Sequence, residues 1–299
     1  MVAISGHRHG TFFGAAVAAF QGYDNKYSST SNTTSMSNSS WSGNVSDIFQ
    51  VHSCNVSAFV PTFPPNQTQL VVPNNTVPSF IGLAFGVQNY TCTSSNNFTN
   101  VGAFAELIDV SCLTAVPEVF NTIQDPLFAF WSNFTGASIQ EIVDLLHFID
   151  PPEVLAQHYF VTNPTTGMGV SPKWDFTSSG SFQSNPDAFI IAKGKGSLPA
   201  PTNATTDVNW LDVVNVEGSI ASEVFRVDTR GGQPPASCVF DQTADISVKY
   251  VSKYILSLLR GQLDCGCGLD RVERLLDSQL LFDFFLSSEH GLFLLVMDT

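Results

Sequence analysis

The stretch "GLAFGVQNYTC", from Gly82 to Cys92, alternates large apolar residues with glycine and alanine. A period of two is typical of a β-strand whose two faces meet different surroundings. Leu83, Phe85 and Val87 share one face of this strand, and the small residues line the other. A polar triplet and a cysteine follow, so the strand ends in either a recognition site or a structural anchor.

The triplet consists of Gln88, Asn89 and Tyr90, whose amide and phenol groups can recognise a ligand or bond to neighbouring backbone. If the strand continues straight, Gln88 and Tyr90 share the face that the glycines line. We expect the structural role, and we keep Gln88 and Tyr90 as candidate binding residues. Cys92 then anchors the end of the strand.

Short alternating segments recur along the chain between turn-rich stretches, which is typical of an all-β domain. Further candidate strands are "GAFAELIDVSC", "HYFV", "KWDF", "AFIIAK", "VNWLDVVNV", "EVFRVDT", "SCVF" and "ISVKYVSKY". Residues 117–149 instead show helical spacing, and Ser138 and Glu141 form a capping box within them. The sequence predicts a mainly β fold, an antiparallel β-sandwich or barrel with a small helical insertion at about 117–149.

The chain divides into four parts by composition. Residues 1–20 contain a weakly apolar run that predicts a signal peptide. Residues 21–53 are rich in Ser, Thr and Asn without an apolar period, which predicts a disordered linker. We place the β domain at 54–254. Residues 255–299 form an atypical tail, in which the alternation gives way to leucine-rich helical spacing.

The charge and composition limit the partners. With 12 Lys and Arg residues and a net charge of −14, the chain lacks the clustered cations that nucleic-acid binding needs. Charged residues make up only 13% of the chain, so neutral polar residues carry its solubility, as they often do in secreted proteins. No apolar run is long enough for a membrane-spanning helix, and none is predicted.

Asn-x-Ser/Thr motifs point to the secretory route, although a chain rich in Ser, Thr and Asn contains some by composition alone. The predicted glycosylation sites are Asn32, Asn38, Asn44, Asn55, Asn66, Asn74, Asn97, Asn133 and Asn203. A further motif at Asn89 lies within the first strand, where an inward side chain could carry no glycan.

Four of the 6 cysteines lie in the β domain. In a secreted protein they pair, and among the three possible pairings we favour Cys92 with Cys112 and Cys54 with Cys238. The alternative of four free thiols requires a cytosolic location. The remaining pair in the tail lacks partners at metal-binding spacing, so no metal site and no cofactor are predicted.

His158 and Asp175 form the strongest candidate catalytic pair, because they lie on strands that are adjacent in sequence. An imidazole and a carboxylate together can perform general acid–base chemistry. The alternative is a His–Asp hydrogen bond that only orients two strands. No nucleophile motif accompanies the pair.

Three further groups have both a functional and a structural interpretation. A buried Glu106 has a raised pKa and can act as a general acid, whereas an edge position needs no function. Tyr159, Trp174 and Trp210 can form an aromatic platform for a sugar, but aromatic residues more often belong to the core. Arg226 and Arg230, close to Asp228 in sequence, suggest ordinary ion pairing at a strand edge.

Four segments, "IGLAFGVQNYTC", "AELIDVSCL", "HYF" and "FRVDTRGGQPPASC", resemble the family known as domain of unknown function 3455. The likeness covers roughly residues 54–254. It implies a mainly β fold and, for many fungal and bacterial members, secretion, but no established activity or catalytic residue. The chain departs from the family at Val87, where relatives have threonine, and in its long tail.

These observations predict a secreted, N-glycosylated extracellular or cell-wall-associated protein that binds a polysaccharide or a surface partner without catalysis. A secreted hydrolase or lyase using His158 and Asp175 is the alternative. Some relatives carry the name malate dehydrogenase, and a cytosolic dehydrogenase is the third hypothesis. It is disfavoured because no Gly-x-Gly-x-x-Gly motif lies between a strand and a helix.

Overall fold

The computed structural model describes residues 54–149 and 153–260. The predicted signal peptide (1–20), the linker (21–53) and the tail from residue 261 lie outside the described residues. The same holds for the predicted glycosylation sites Asn32, Asn38 and Asn44.

Eight antiparallel strands form a closed barrel in which each strand pairs with the next and the last pairs with the first. This confirms the mainly β fold and selects the barrel over the sandwich. The strands are β1 (Thr76–Cys92), β2 (Phe98–Asp109), β3 (Val154–Thr162), β4 (Val170–Asp175), β5 (Phe189–Leu198), β6 (Trp210–Gly218), β7 (Glu223–Gly231) and β8 (Ile246–Leu259).

The barrel closes along β1, which pairs with β2 on one side and with β8 on the other. Its register with β8 runs from Thr76 opposite Leu259 to Tyr90 opposite Ile246. The predicted alternation on β1 is therefore the alternation between the outside and the inside of a barrel.

The predicted helical insertion lies on the outer face of the barrel. It contains α1 (Pro117–Phe120), α2 (Gln124–Asn133) and α3 (Ile139–Ile149). Trp131 of α2 packs edge-on against Phe85 of β1, and its indole N–H donates to the Gly86 carbonyl over 2.7 Å. The predicted capping box begins α3, because the backbone N–H of Ser138 donates to Glu141 Oε2 over 2.7 Å.

The inner face of the barrel forms a separate apolar cluster that contains no residue of α1, α2 or α3. Every strand contributes to it, and several contributions are small. The strand residues of this cluster are Ala84, Ala105, Leu107, Leu155, Ala156, Trp174, Ile190, Ala192, Val213, Val224, Tyr250, Tyr254 and Leu256, with Phe80 and Leu211 packed against them.

Two predicted strand ends and one predicted strand are wrong. β2 ends at Asp109 rather than at Cys112, because Asp109 Oδ1 accepts the Ser111 N–H over 2.8 Å and turns the chain into a short 3₁₀ helix. β8 runs past Tyr254 to Leu259, since Ile255 and Leu256 are buried on opposite faces of the same strand. "SCVF" (237–240) contains no strand residues.

All four cysteines of the domain form disulfides, but the predicted pairing is wrong: the bonds join Cys54 to Cys112 and Cys92 to Cys238. Strands β1 and β2 form an antiparallel hairpin, in which Cys92 lies opposite Phe98 and Gly82 lies opposite Asp109. Cys92 and Cys112 therefore lie at opposite ends of the hairpin and cannot meet.

The backbones of β1 and β2 approach each other closely at Gly86. A Cβ atom at this position would overlap the Phe104 carbonyl oxygen and the Ala105 side chain. Gly194 on β5 offers a matched comparison, because a Cβ atom there would have no neighbour within 4 Å. Both glycines lie in strands and neither has a positive φ.

We expect Gly86→Ala to lower the free energy of unfolding by about 1–3 kcal/mol, since the added methyl group must push β1 away from β2. Gly194→Ala should change it by no more than about 0.5 kcal/mol. Urea unfolding of both variants measures the difference. Equal effects at the two positions would contradict the close approach.

Candidate ligand site in the barrel interior

Three ring side chains meet inside the barrel. His158 on β3 stacks on Trp174 of β4 with ring centroids 4.5 Å apart and an interplanar angle of 14°. Tyr254 of β8 lies 5.3 Å from each of these rings. The strands between β8 and β3 carry small residues on the inner face, including Gly86 and Ala105, so the tyrosine can reach across.

His158 is neutral and holds one defined tautomer. Its Nδ1 lies 2.8 Å from the Lys173 carbonyl oxygen, which can only accept, so Nδ1 carries the proton and Nε2 is an acceptor. Burial lowers the pKa of His158 to about 3; the bond to Lys173 opposes this shift, and the charge of Arg226 adds to it.

The predicted catalytic pair does not form. His158 is the register partner of Trp174, whereas Asp175 is the partner of Gln157. Successive residues of a strand point to opposite faces, so His158 faces the interior and Asp175 faces outward. The adjacency of the strands was predicted correctly, but a one-residue difference in register separates the two side chains.

Asp175 instead belongs to a polar cluster on the outer face. It accepts from the Tyr159 hydroxyl over 2.6 Å and pairs with Lys173 over 2.7 Å, and the Thr177 hydroxyl also donates to it. Burial would raise the pKa of Asp175, but the bonds from Lys173, Thr177 and Tyr159 outweigh it and hold the pKa at about 2. The carboxylate is therefore a structural anion.

Three buried donor groups on the inner face have no hydrogen-bond partner among the described atoms. They are Gln88 Nε2, Trp174 Nε1 and Ser252 Oγ. Gln88 and Ser252 face inward because they lie in register with the inner-face residues Ala103 and Ala84, respectively. An unsatisfied buried donor costs about 1–3 kcal/mol, so three on one surface are unusual.

Two tyrosines border these donors. The Tyr250 hydroxyl lies 3.3 Å from that of Tyr254, and burial raises the pKa of Tyr250 well above its usual value. The neighbouring Gln88 side chain opposes this rise in the pKa of Tyr250. Tyr90, further along β1, donates to the Gly232 carbonyl over 2.7 Å.

Arg226 brings a positive charge to the same face. It is the register partner of Tyr254 on β8, and its Nε and Nη2 donate to the Asn209 carbonyl over 3.0 and 2.8 Å. Its charge lowers the pKa of His158, Tyr250 and Tyr90, which come from three different strands. The predicted pairing with Asp228 is wrong: Asp228 pairs with Lys253, and Arg230 pairs with Asp125.

The predicted aromatic platform does not form either. Trp174 lies inside the barrel, whereas Trp210 belongs to the outer apolar cluster and Tyr159 to the outer cluster around Asp175. Trp174 and Trp210 are 2% and 6% exposed, so neither can stack on a sugar at the surface.

Glu106 is fully buried on the outer face, beneath α3. Its Oε1 lies 3.2 Å from His147 Nε2. Burial raises the pKa of Glu106, and the contact with His147 opposes the shift. The raised pKa expected of a general acid is therefore present, but the helix covers the carboxyl group.

A second buried acidic group lies on the outer face of β6 and β7. Lys195 pairs with Glu223 and lies 3.1 Å from Asp212. Burial and the neighbouring Asp212 carboxylate raise the pKa of Glu223 to about 7. The chain preceding β1 passes beside this group, because the Gln69 carbonyl packs against Gly196, the register partner of Asp212.

In the two described ranges, no three His, Cys, Asp or Glu side chains are grouped closely enough to hold a metal ion. No helix within these ranges is both long and apolar enough to cross a bilayer.

The molecule is thus a closed eight-stranded antiparallel barrel with two disulfides and a polar, aromatic interior. A family model described as "Protein of unknown function (DUF3455)" matches residues 73–257, more than half of the 299 residues. The chain belongs to this family, as the resemblance predicted. No curated protein and no solved structure matches the chain.

The sequence interpretation missed Ser252, Tyr250 and Tyr254 as members of the interior. Their spacing of two along β8 was a usable signal. It was hidden because Lys249 and Lys253 on the outer face are also polar, and Lys253 is fully buried. The alternation therefore did not separate an apolar from a polar face.

We expect the stability of the protein to fall as the pH decreases from about 6.5 towards 3. In this interval the unfolded chain protonates His158 whereas the folded protein does not, so the unfolded state binds more protons. His158→Phe keeps a ring at this position, and the difference in unfolding free energy between wild type and variant should shrink by up to about 1.4 kcal/mol per pH unit. If the unfolding free energies of wild type and variant change in parallel with pH, His158 titrates normally.

Proposed function

We propose that this protein is an extracellular, non-catalytic binding protein that holds a small molecule inside its barrel. The observation that carries this proposal is the set of three unpartnered, buried donors on the inner face: Gln88 Nε2, Trp174 Nε1 and Ser252 Oγ. Acceptor atoms of a bound molecule would satisfy them.

The dimensions of the barrel support this proposal. An eight-stranded barrel has an interior that its own side chains fill or that holds one small ligand. Ala84, Ala105, Ala156 and Ala192 come from four different strands and are all fully buried on the inner face. Small residues on these strands reduce the side-chain volume that fills the centre.

The chemistry of the interior favours binding over catalysis. His158 stays neutral down to a pH of about 3, and Asp175 lies on the other face. The hydrolase or lyase that we considered from the sequence needs these two groups together. A polysaccharide chain needs aromatic side chains in an open groove, whereas Trp174 and Trp210 are buried.

The two disulfides fit an extracellular protein, since such bonds persist in oxidising compartments. The glycosylation motifs within the described residues agree with secretion, because all six predicted asparagines are exposed. They are Asn55, Asn66, Asn74, Asn97, Asn133 and Asn203.

Coumarin, a small planar neutral molecule with a carbonyl acceptor, is a suitable probe of the interior. We expect Trp174→Phe to weaken its binding by about three- to tenfold, because the variant keeps an aromatic ring but loses one donor. Trp210→Phe is the matched control, since this tryptophan is also buried with an unpartnered Nε1 but lies outside the barrel. Isothermal titration calorimetry measures both affinities.

Equal weakening by the two substitutions would contradict an interior site, and so would absence of binding by the wild-type protein. Near-ultraviolet circular dichroism of each variant shows whether the fold persists. Ser252→Ala provides an independent test, because it removes a second donor with little change in volume and should also weaken binding.

We expect secreted protein from a eukaryotic host to carry glycans on the exposed asparagines and to contain no free thiol among Cys54, Cys92, Cys112 and Cys238. Peptide-N-glycosidase in heavy-oxygen water marks each glycosylated asparagine, and alkylation without reductant marks each free thiol. Mass spectrometry reads both labels. Alkylation of all four cysteines would overturn the extracellular assignment.

A further inference from the structure

We infer that the bound molecule is a small planar aromatic monocarboxylate whose acid group meets Arg226 and whose ring lies among Trp174, Tyr250 and Tyr254. This inference rests on the proposed interior site and adds the chemical class of its ligand. It is carried by the placement of Arg226, a different observation from the unpartnered donors.

Among the residues that the structure describes, Arg226 has no anionic partner. No carboxylate of the described residues lies within 4.0 Å of its guanidinium nitrogens. By contrast, Lys173, Lys195, Arg230 and Lys253 each pair with a carboxylate. Its contact is with a neutral carbonyl, that of Asn209, through Nε and Nη2. A half-buried guanidinium loses hydration, and a carboxylate is the partner that its fork geometry suits.

Asp109 is an acidic residue that lies in line with Arg226 across the sheet. Gly82 aligns both with Tyr254, the partner of Arg226, and with Asp109 at the end of β2. Asp109 is engaged by the Ser111 N–H over 2.8 Å, and burial raises its pKa. Asp109 therefore acts as a turn-forming group, and no ion pair joins it to Arg226.

The effect of Arg226 reaches deep into the barrel. Its charge acts on His158, Tyr250 and Tyr90, on strands β3, β8 and β1. An anion bound beside Arg226 would therefore also change the electrostatic surroundings of these side chains. A single cation suits a single negative charge, which favours a monocarboxylate over a phosphate.

The inner face that carries Arg226 also carries several planar aromatic side chains. Trp174 and Tyr254 meet edge to face with centroids 5.3 Å apart, and the Tyr250 ring is fully buried on the same strand as Tyr254. Aromatic rings prefer such edge-to-face and offset contacts with further rings. The unpartnered donors of Trp174 and Ser252 remain available to oxygen atoms of the ligand.

Coumarin-3-carboxylate and coumarin-3-carboxamide test this inference, because they share one shape and differ in charge. We expect calorimetry to show the acid binding the wild-type protein at least about tenfold more tightly than the amide. In Arg226→Gln the acid should lose this advantage while the affinity for the amide stays within about twofold. Glutamine keeps a donor for the Asn209 carbonyl.

Lys193→Gln is the matched control, because it removes one positive charge from an exposed position on β5. It should leave both affinities unchanged. If Arg226→Gln does not fold, Arg226→Lys replaces it and should retain part of the preference for the acid.

The outcomes separate the two proposals. An amide that binds as tightly as the acid, or a preference that survives in Arg226→Gln, overturns the carboxylate and leaves the interior site intact. Absence of binding by both compounds and by coumarin overturns the interior site itself. An equal loss of acid binding in Lys193→Gln would mean that net charge, rather than Arg226, attracts the acid.

Discussion

The pairing of β1 with β8 is the interaction on which the rest of the structure depends. These strands are distant in sequence, and their register extends from Thr76 opposite Leu259 to Tyr90 opposite Ile246. Only this pairing turns a series of hairpins into a closed surface with an inside. It also determines which residues face inward, since a shift of one residue would exchange the two faces of β8. The meeting of Tyr254 with His158 and Trp174 follows from it.

The same pairing explains the buried lysines of β8. Lys253 is fully buried on the outer face, where it bonds to Asp228 and to Gln124 of α2, both over 2.8 Å. Lys249 donates to the Trp131 carbonyl and lies 4.4 Å from the Trp131 ring. These cations bind the helical insertion to the barrel, and the insertion in turn covers the outer face of β1. The ammonium groups of these two buried or half-buried lysines thus have hydrogen-bond partners, in contrast to the donors inside.

Local patterns in the sequence were sufficient to predict the strands. They were not sufficient to predict which distant residues lie together. The alternation around Phe85 and the capping box at Ser138 predicted their elements correctly, because both depend on residues close in the chain. The disulfide pairing depends on which strand ends lie together, and Cys238 reaches Cys92 only because β8 returns to β1. The prediction that His158 and Asp175 form a catalytic pair was wrong for a related reason. The order of β3 and β4 was clear, but register is set by packing across the whole barrel.

The closure of the barrel explains why the donors on its inner face stay without partners. In an open sheet, side chains with unsatisfied donors can rotate towards water, and the strands can shift to accommodate them. Here Ser252 and Trp174 lie on strands paired on both sides, and the interior is closed by β1 and β8. Their donors therefore keep fixed directions at a cost in folding free energy. The disulfide from Cys92 to Cys238 joins the end of β1 to the chain leading into β8, and so it opposes the opening that would relieve this cost. A framework that holds donors in place without partners is already organised for a ligand, because binding then requires little further ordering of the protein.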